Sequence, residues 1–325
     1  MKYKKILNIL FITNFCGINY IVNNHINNKI LFVNNENVNI YEKDYKKIKS
    51  IGISDKEIKF INQSKYDEYC KINPIKTIKN ISIHNETNLN IKKVNKEGYS
   101  SNSDSTRKIE TYVTWYKTED VSKSEFFVKV NVSYTGTTKF RYTDYIGIGF
   151  GDEVNSSVTD VFNKGQRPAY TAMQFYTEHY YRYYSALNVS PQTTEYSLEK
   201  SVTKDRYNYD NYRYDLHKDF IVDFDVPSDY YYKSTPNYEY AQINEEIKRT
   251  YSDFSYTISQ YFVPTYTDLN SVSFIGMFTE KVMTYNVSLS DLNVTLVPVN
   301  ISYSIAFNKN ICNDTIFSSV LVNKE

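Results

Sequence analysis

The sequence predicts a mainly β protein, in which an antiparallel, sandwich-like C-terminal domain follows a polar, largely disordered N-terminal spacer. Two observations support this prediction. After Lys108, short segments rich in strand-forming residues alternate apolar and polar positions, and polar turns separate them. Tyrosine, which favours strands because its ring fits a pleated, half-buried surface, is abundant, with 34 Tyr and 18 Phe against one Trp.

The change in composition at Lys108 suggests how the chain is divided. We predict a signal peptide or membrane anchor at 1–22, a polar spacer at 23–108, a tyrosine-rich β domain at 109–310 and a tail at 311–325. The spacer is dominated by Asn and Lys, and its isolated Ile residues keep no steady period, so it is expected to bury too little apolar area to offset chain entropy. One short helix is expected around 55–69.

The first residues have the charge order of an export signal. Met1–Lys5 is basic and Ile6–Phe15 is mostly apolar. Three outcomes remain open: a cleaved signal, an uncleaved anchor that contacts the membrane, or lipidation at Cys16. All three predict a secreted or cell-surface protein.

The strands of the β domain are predicted from a period of two. Val128, Val130 and Val132 alternate with polar residues, a turn follows at 135–138, and the next strand at 139–148 would close a hairpin. Further strands are predicted at 220–226, 251–263, 272–277, 281–289, 292–297 and 299–307. Weaker helical patterns lie at 155–162, 168–184 and 242–249.

Several functional classes are disfavoured. Lys plus Arg is 38 and Asp plus Glu is 37, so there is no basic excess to attract nucleic acid. No Cys or His spacing is typical of a metal site, and no nucleophile motif is present, so we predict no metal, no cofactor and no catalytic residues. His179 and His217 have no acidic or Cys neighbour at ligand spacing. Cys70 and Cys312 could form one disulfide.

Tyrosine clusters interleaved with Arg, Asn and Asp are the most distinctive feature. Such residues are enriched at binding surfaces because a ring contributes contact area at low entropic cost. We therefore predict a ligand surface for a cell-surface protein or a glycan. Its residues are Tyr180, Arg182, Tyr184, Tyr207, Tyr209, Tyr212, Arg213 and Tyr214. The alternative is ordinary cross-strand packing of the rings.

Three functions follow, in order of preference. The first is an exported, adhesin-like binding protein without enzymatic activity. The second is a secreted β-pore-forming toxin, because Lys281–Leu289 and Asn293–Phe307 alternate as a membrane-inserting hairpin would. The third, an extracellular hydrolase, would need paired carboxylates, and the Asp223 and Asp225 pair is better explained as a solvated sheet face.

Overall fold

The computed structural model describes most of the chain between residues 29 and 323. The described ranges are 29–85, 106–117, 124–135, 143–151, 153–156, 170–186, 189–205, 219–234, 243–265, 271–281, 293–295, 304–306 and 313–323. The chain divides into two compact units, Met1–Ile72 and Asn73–Glu325. In the described ranges, no helix is long and apolar enough to cross a membrane.

The N-terminal unit is a small α/β domain. Its elements are β1 (Ile30–Val33), β2 (Asn39–Tyr41), α1 (Glu42–Ser50), α2 (Asp55–Phe60) and α3 (Gln63–Lys71). Ser54 and Asn62 cap α2 and α3, because each side chain accepts a main-chain N–H of the first turn. The helix predicted at 55–69 is therefore present as two short helices.

A buried asparagine ties this unit together. Asn34 Nδ2 donates to the carbonyls of Ile58 and Ile61 at 2.9 and 2.8 Å, and its Oδ1 accepts the N–H of Val38 at 2.9 Å. The Ile residues that show no period along the sequence converge in one core, with Ile48, Ile51 and Ile58 fully buried. The prediction of a largely disordered spacer at 23–108 is wrong for residues 29–85, because tertiary contacts supply the burial that local periodicity did not reveal.

The C-terminal unit consists of antiparallel strands. They are β3 (Pro74–Asn85), β4 (Thr106–Lys117), β5 (Ser124–Thr135), β6 (Thr143–Phe150), β7 (Val154–Ser156), β8 (Thr171–Ala186), β9 (Val189–Asp205), β10 (Asp219–Asp225), β11 (Tyr230–Ser234), β12 (Asn244–Pro264), β13 (Ser271–Lys281), β14 (Asn293–Thr295), β15 (Ser304–Ala306) and β16 (Asn313–Asn323). The predicted fold class, a mainly β protein with antiparallel sheets, is confirmed.

Two sheets form the sandwich. The larger has the order β3-β4-β5-β12-β8-β9, with β7 and β11 also pairing with β12. The smaller has the order β10-β6-β13-β16. Strands β14 and β15 pair with each other only, within the described residues. Apolar side chains from both sheets meet in one core, whose members include Val128, Val130, Ile146, Ile258 and Phe274.

The two sheets approach each other closely at Gly276 of β13. A Cβ at this position would lie 2.2 Å from Thr111 Oγ1 and 2.9 Å from the methyl carbons of Val130, both on the opposite sheet. Thr111 Oγ1 also donates to the Ser318 carbonyl at 3.2 Å and so links β4 to β16. Glycine is required at Gly276 because no side chain fits between the sheets there.

A buried polar cluster interrupts the apolar core at one end. It comprises Arg107, Tyr134, Asp144, Gln174 and Tyr256, all of them buried. The Tyr256 hydroxyl donates to Asp144 Oδ2, and Gln174 Nε2 donates to the Tyr256 hydroxyl at 3.3 Å. Gln174 Nε2 also lies 3.3 Å from the Asp225 carbonyl. Residues of five strands therefore meet in a position where unpaired polar groups would be costly.

Several element predictions are corrected. The strands at 124–135 and 143–150 do not form a hairpin, because β5 pairs with β4 and β12 whereas β6 pairs with β10 and β13. The helices predicted at 168–184 and 242–249 are strands, since β8 and β12 pair along almost their whole length. The predicted helix at 155–162 lies mostly outside the described residues.

The predicted tail at 311–325 is also wrong. Residues 313–323 form β16, which pairs with β13 from Asn323 back to Asn313. Val320 and Val322 are buried in the sandwich, with the exposed Leu321 between them. This alternation is that of a half-buried strand, but it covers too few residues to predict a strand from the sequence.

We expect Gly276→Ala to destabilise the C-terminal unit by about 1–3 kcal/mol, because the new methyl group must displace Thr111 and Val130. The measurement is the midpoint of denaturant unfolding. Ser273→Ala, on the same strand at a half-exposed position, serves as the control and should change the midpoint little. Equal stability of Gly276→Ala and wild type would contradict the close approach of the sheets.

Candidate functional site

The larger sheet continues beyond the sandwich as a four-stranded sheet exposed on both faces. We call this part the tyrosine-rich extension and define it as residues 176–186, 189–200, 230–234 and 244–252. The strand order within it is β11-β12-β8-β9. Side chains of β8 are fully buried from Thr171 to Phe175 and only half-buried or exposed from Tyr176 onwards.

A change of partner on β12 creates the extension. Residues 255–262 of β12 pair with β5, whereas residues 245–249 pair with β11. The β12–β8 register shifts between Ser252 and Ser255, where Asp253 adopts a positive φ of 57°. A non-glycine residue in this region usually marks a turn or bulge, and here the bulge lies at the boundary between sandwich and extension.

One face of the extension is aromatic, and we call it the aromatic face. Tyr180 pairs in register with Tyr196 on one side and with Arg249 on the other, and Arg249 pairs with Tyr230. The rings of Tyr180 and Tyr196 stack with centroids 4.9 Å apart, and the Arg249 guanidinium lies 5.4 Å from the Tyr180 centroid. Register neighbours share a face, so these four residues form one continuous row.

The next rows extend the same face. Tyr232 lies in register with Ile247, and Ile247 with Arg182. Towards the sandwich, Tyr176 and Tyr251 meet edge to face, with ring centroids 5.7 Å apart, and both pack against the apolar core. The aromatic face therefore continues the inner, core-facing side of the sheet into solvent.

The opposite face carries hydroxyl groups and charges. Lys248 Nζ lies between two rings, 5.5 Å from the Tyr181 centroid and 5.6 Å from that of Tyr231. The carboxylate of Glu246, 2.6 Å from this ammonium, raises the pKa of Lys248. The two cation–ring contacts and the ion pair make this face a mixed, solvated surface rather than an apolar one.

His179 joins three strands on this second face. Its Nδ1 is 2.8 Å from Ser197 Oγ of β9, and its Nε2 is 2.8 Å from Ser252 Oγ of β12. Ser252 Oγ donates in turn to Asp253 Oδ2 at 2.8 Å. Ser252 and Asp253 are distant from His179 along the chain, so sequence spacing could not reveal this arrangement. The contacts connect the strands next to the bulge.

The sequence-predicted site residues fall into two groups. Tyr180, Arg182 and Tyr184 are two residues apart on β8 and share the aromatic face, as the period of a strand requires. Tyr207, Tyr209, Tyr212, Arg213 and Tyr214 lie outside the described residues. Arg182 is engaged by Glu245, with Nη2 and Nε at 2.7 and 2.8 Å from Oε1, and it also lies over the Tyr184 ring.

The most exposed rings are on other residues. Tyr230, Tyr231 and Tyr232 of β11 are 52%, 58% and 42% exposed, and Tyr196 on the edge strand β9 is 45% exposed. The run at 230–232 was visible in the sequence as a tyrosine cluster. What the sequence did not reveal is that β11 lies next to β12, which brings its rings into the same sheet as Tyr180.

A second feature of the C-terminal unit is the pair of positions at which segment 282–312 leaves the smaller sheet and returns to it. Strands β13 and β16 are neighbours, and their pairing ends with Lys281 opposite Asn313. The segment therefore leaves the smaller sheet and returns to it at directly paired positions. Within it, residues 293–295 pair with 304–306, which agrees in part with the strands predicted at 292–297 and 299–307.

The comparisons with known proteins do not assign this chain to a family. No protein-family model matches the chain, and no curated protein matches it significantly in sequence. Among solved structures, the Clostridium perfringens NetB toxin in its membrane-inserted form is similar at 6% identity and a TM-score of 0.21, covering 76% of this chain and 97% of that one. Clostridium perfringens delta-toxin is similar at 5% identity and a TM-score of 0.20, covering 75% of this chain and 89% of that one. Similarities at this level carry no conclusion about fold or function.

We expect Arg182→Gln to change the free energy of unfolding by less than about 1 kcal/mol, because both side chains of the Arg182–Glu245 pair are partly exposed to solvent. Denaturant unfolding of the purified protein measures this effect, with Lys200→Gln on β9 as a matched control. A loss of several kcal/mol would contradict the placement of Arg182 on a solvated sheet and indicate a buried role instead.

Proposed function

We propose that this protein is a secreted pore-forming protein, which attaches to a target cell through the tyrosine-rich extension and inserts segment 282–312 into the membrane as a β-hairpin. Of the functions considered from the sequence, this is the second. It is now preferred because it accounts for both the exposed aromatic face and the position of segment 282–312.

The pairing of Lys281 with Asn313 carries the proposal. Because the two ends of segment 282–312 are paired neighbours, the segment can change its conformation without breaking any strand pair of the two sandwich sheets. A hairpin that grows from this point would prolong β13 and β16 as an extended two-stranded ribbon. This is the topology that an insertable hairpin needs.

The sequence of the segment suits such a ribbon. If the register of Lys281 and Asn313 continued, Val287 would face Phe307 and Leu289 would face Ile305. The residues between them, such as Ser288 opposite Ala306, would form a small and polar second face. One apolar and one polar face are required where a strand separates lipid from a water-filled lumen, and about 9–11 residues per strand span the hydrocarbon.

The residues at the base of this ribbon also suit a membrane. In the continued register Tyr285 would face Lys309 near the sheet. Tyr and Lys are favoured at the membrane–water interface, where a ring or a long aliphatic stem is half in hydrocarbon. In the present pairing Val294 faces Ile305, which is a different register, so insertion would require the hairpin to pair again.

The aromatic face supports attachment. Tyrosine rings with solvent-exposed hydroxyl groups and nearby arginines are typical of surfaces that lie at a membrane interface or bind a glycan or a protein. Tyr196, Tyr230 and Tyr232 meet this description. Export is supported by the basic and apolar order of residues 1–15.

Dye release from liposomes or target cells tests insertion. We expect the purified protein to release calcein, and Leu289→Arg to abolish release, because a charge facing lipid costs about 2–4 kcal/mol per strand. Ser288→Arg, on the face that would line the lumen, is the matched control and should still release dye. Equal activity of the two arginine variants would overturn the assignment of the hairpin faces.

Cell or vesicle binding tests attachment. We expect replacement of Tyr230 and Tyr232 together by Ser to weaken binding at least tenfold, because the exposed rings that β11 contributes to the aromatic face are lost. The control replaces Ile81 and Ile83, two exposed apolar residues of β3, by Ser. Similar losses in both variants would indicate nonspecific hydrophobic adsorption and contradict a role for the aromatic face.

An adhesin-like protein that binds without inserting is the second candidate function. The exposed rings of the tyrosine-rich extension favour it as much as they favour attachment by a pore-former. The two are separated by the same experiments, since an adhesin binds cells and loses binding with the β11 tyrosines but never releases dye.

A further inference from the structure

The aromatic face of the extension carries its rings and its charged groups side by side. In one row across the sheet, Tyr230, Arg249, Tyr180 and Tyr196 follow one another in register. The rings of Tyr230 on β11 and Tyr196 on β9 are the exposed ones, and Tyr180 stacks on Tyr196. Each end of the row therefore offers a flat apolar surface to a ligand, with the Arg249 guanidinium between the two ends.

The charged groups of this face are paired with one another. Arg182 Nη2 and Nε lie 2.7 and 2.8 Å from Glu245 Oε1. Glu178 Oε2 lies 3.4 Å from Lys200 Nζ, and Glu178 Oε1 lies 4.0 Å from Arg249 Nε. Each cation that the described extension contributes to this face thus has a carboxylate beside it. An anionic ligand would meet these carboxylates as well as the cations, so the face favours a ligand without charge.

The same ion pairs offer hydrogen-bonding groups to an uncharged polar ligand. A guanidinium has five N–H donors, and Glu245 engages those of Nε and Nη2 in Arg182. A carboxylate accepts several hydrogen bonds, so Glu178 and Glu245 can bind hydroxyl groups while they hold their cations. Hydrogen bonds to charged groups are stronger than those between neutral groups, which suits a ligand rich in hydroxyls.

The size of the face suits a small ligand better than a protein. From β11 to β9 it is about 14 Å wide, and from Glu178 to Tyr184 it is about 20 Å long, at the usual spacing and rise of strands. This area is roughly 300 Å², whereas a stable protein–protein interface buries about 800 Å² on each partner. A chain of a few linked sugar rings is long enough to contact Tyr230 and Tyr196 together.

The charged side chains also disfavour the lipid bilayer as the direct ligand of this face. If the face entered hydrocarbon, both ion-paired groups around Glu178 and Glu245 would lose their water together with the tyrosine hydroxyls. The cost of desolvating several charges exceeds the gain from burying the rings. The face therefore suits a polar layer outside the hydrocarbon.

A pyranose ring has the surfaces that complement this arrangement. Its C–H groups form an apolar side that packs flat on an aromatic ring, and its hydroxyl groups both donate and accept hydrogen bonds. We propose that the aromatic face is a carbohydrate-binding site for an uncharged oligosaccharide, in which Tyr196 and Tyr230 stack on sugar rings and Arg249 binds hydroxyl groups between them. As the ligand for attachment to a target cell, this oligosaccharide rests on the proposed function. The binding itself requires only the strands of the extension.

Isothermal titration calorimetry of the full chain tests the site. The probes are soluble, uncharged oligosaccharides of hexose and N-acetylhexosamine units, together with their sialylated and sulfated counterparts. We expect at least one uncharged oligosaccharide to bind wild type, and Tyr196→Ser with Tyr230→Ser to weaken its affinity at least tenfold, because both exposed stacking rings of the row are lost. No binding of any uncharged probe at millimolar concentration would overturn the proposal.

The matched control is Tyr181→Ser with Tyr231→Ser. These tyrosines lie on the same sheet and flank Lys248, but they point to the opposite face. We expect this variant to bind the oligosaccharide as wild type does. Equal loss of affinity in the two double variants would overturn the assignment of the site to the aromatic face.

Arg249→Lys keeps the test decisive if the double serine variant fails to fold. Lysine keeps the charge beside Glu178 but lacks the planar guanidinium that lies 5.4 Å from the Tyr180 ring centroid. We expect the affinity for the uncharged oligosaccharide to fall about three- to tenfold, with the thermal unfolding midpoint little changed. An unchanged affinity would overturn the role of Arg249 between the rings.

The dependence on salt distinguishes an uncharged ligand from an anionic one. We expect the affinity for the uncharged oligosaccharide to change less than about twofold between about 50 and about 500 mM NaCl, because screening weakens only interactions between charges. Tighter binding of the sialylated or sulfated probes, with affinity that falls steeply as salt is added, would overturn the choice of an uncharged ligand.

Vesicles separate this proposal from the proposed function. We expect calcein release from vesicles that carry an uncharged glycolipid to exceed release from plain phospholipid vesicles, and the soluble oligosaccharide to inhibit it. Oligosaccharide binding without any dye release supports the carbohydrate site and contradicts pore formation. Dye release that is equal with and without glycolipid, from a protein that binds no uncharged oligosaccharide, supports pore formation and overturns the carbohydrate site.

Discussion

Strand β12 carries the hydrogen bonds on which both parts of the C-terminal unit depend. From Asn244 to Ser259 it pairs with β8, and on its other side it pairs with β5 in the sandwich and β11 in the extension. A central strand leaves its main-chain groups satisfied only while both neighbours are present. Because β5 ends its pairing at the bulge near Asp253, a new neighbour is needed there, and β11 supplies it.

This exchange of partners separates two environments on one strand. From Phe254 to Phe262 every residue of β12 is buried, including the polar Ser255, Thr257 and Gln260. Before the bulge the same strand is half-buried or exposed. The continuous burial explains why this part shows no clean alternation, since both faces are covered, and why the extension offers surface to a partner.

Tyrosine serves both environments because its ring is apolar and its hydroxyl is polar. Tyr134 and Tyr256 meet edge to face in the core, with ring centroids 6.2 Å apart, and the Tyr256 hydroxyl is satisfied by Asp144 and Gln174. Tyr230 and Tyr196, in contrast, are 52% and 45% exposed. The two interpretations of the clusters, packing and recognition, therefore apply to different residues rather than to the protein as a whole.

The buried polar cluster reduces the stability of the contact between the two sheets. An apolar replacement of the same shape would remove the desolvation cost of Asp144, yet the chain places a carboxylate there beside Arg107. Elsewhere between the sheets the contact is tight, as the absence of room for a Cβ at Gly276 shows. The sandwich thus combines a close-packed centre with one end at which polar and charged side chains are buried.

The sequence alone determined the fold class, and it located the strands with strict alternation, such as Val128–Val132 in β5. It also placed Tyr180, Arg182 and Tyr184 on one face, because a period of two is a local property of the chain. Only the tertiary structure decided that 29–85 folds, that β5 and β6 belong to different sheets, and that β11 joins Tyr180. Those outcomes depend on contacts between residues far apart along the chain, which periodicity cannot encode.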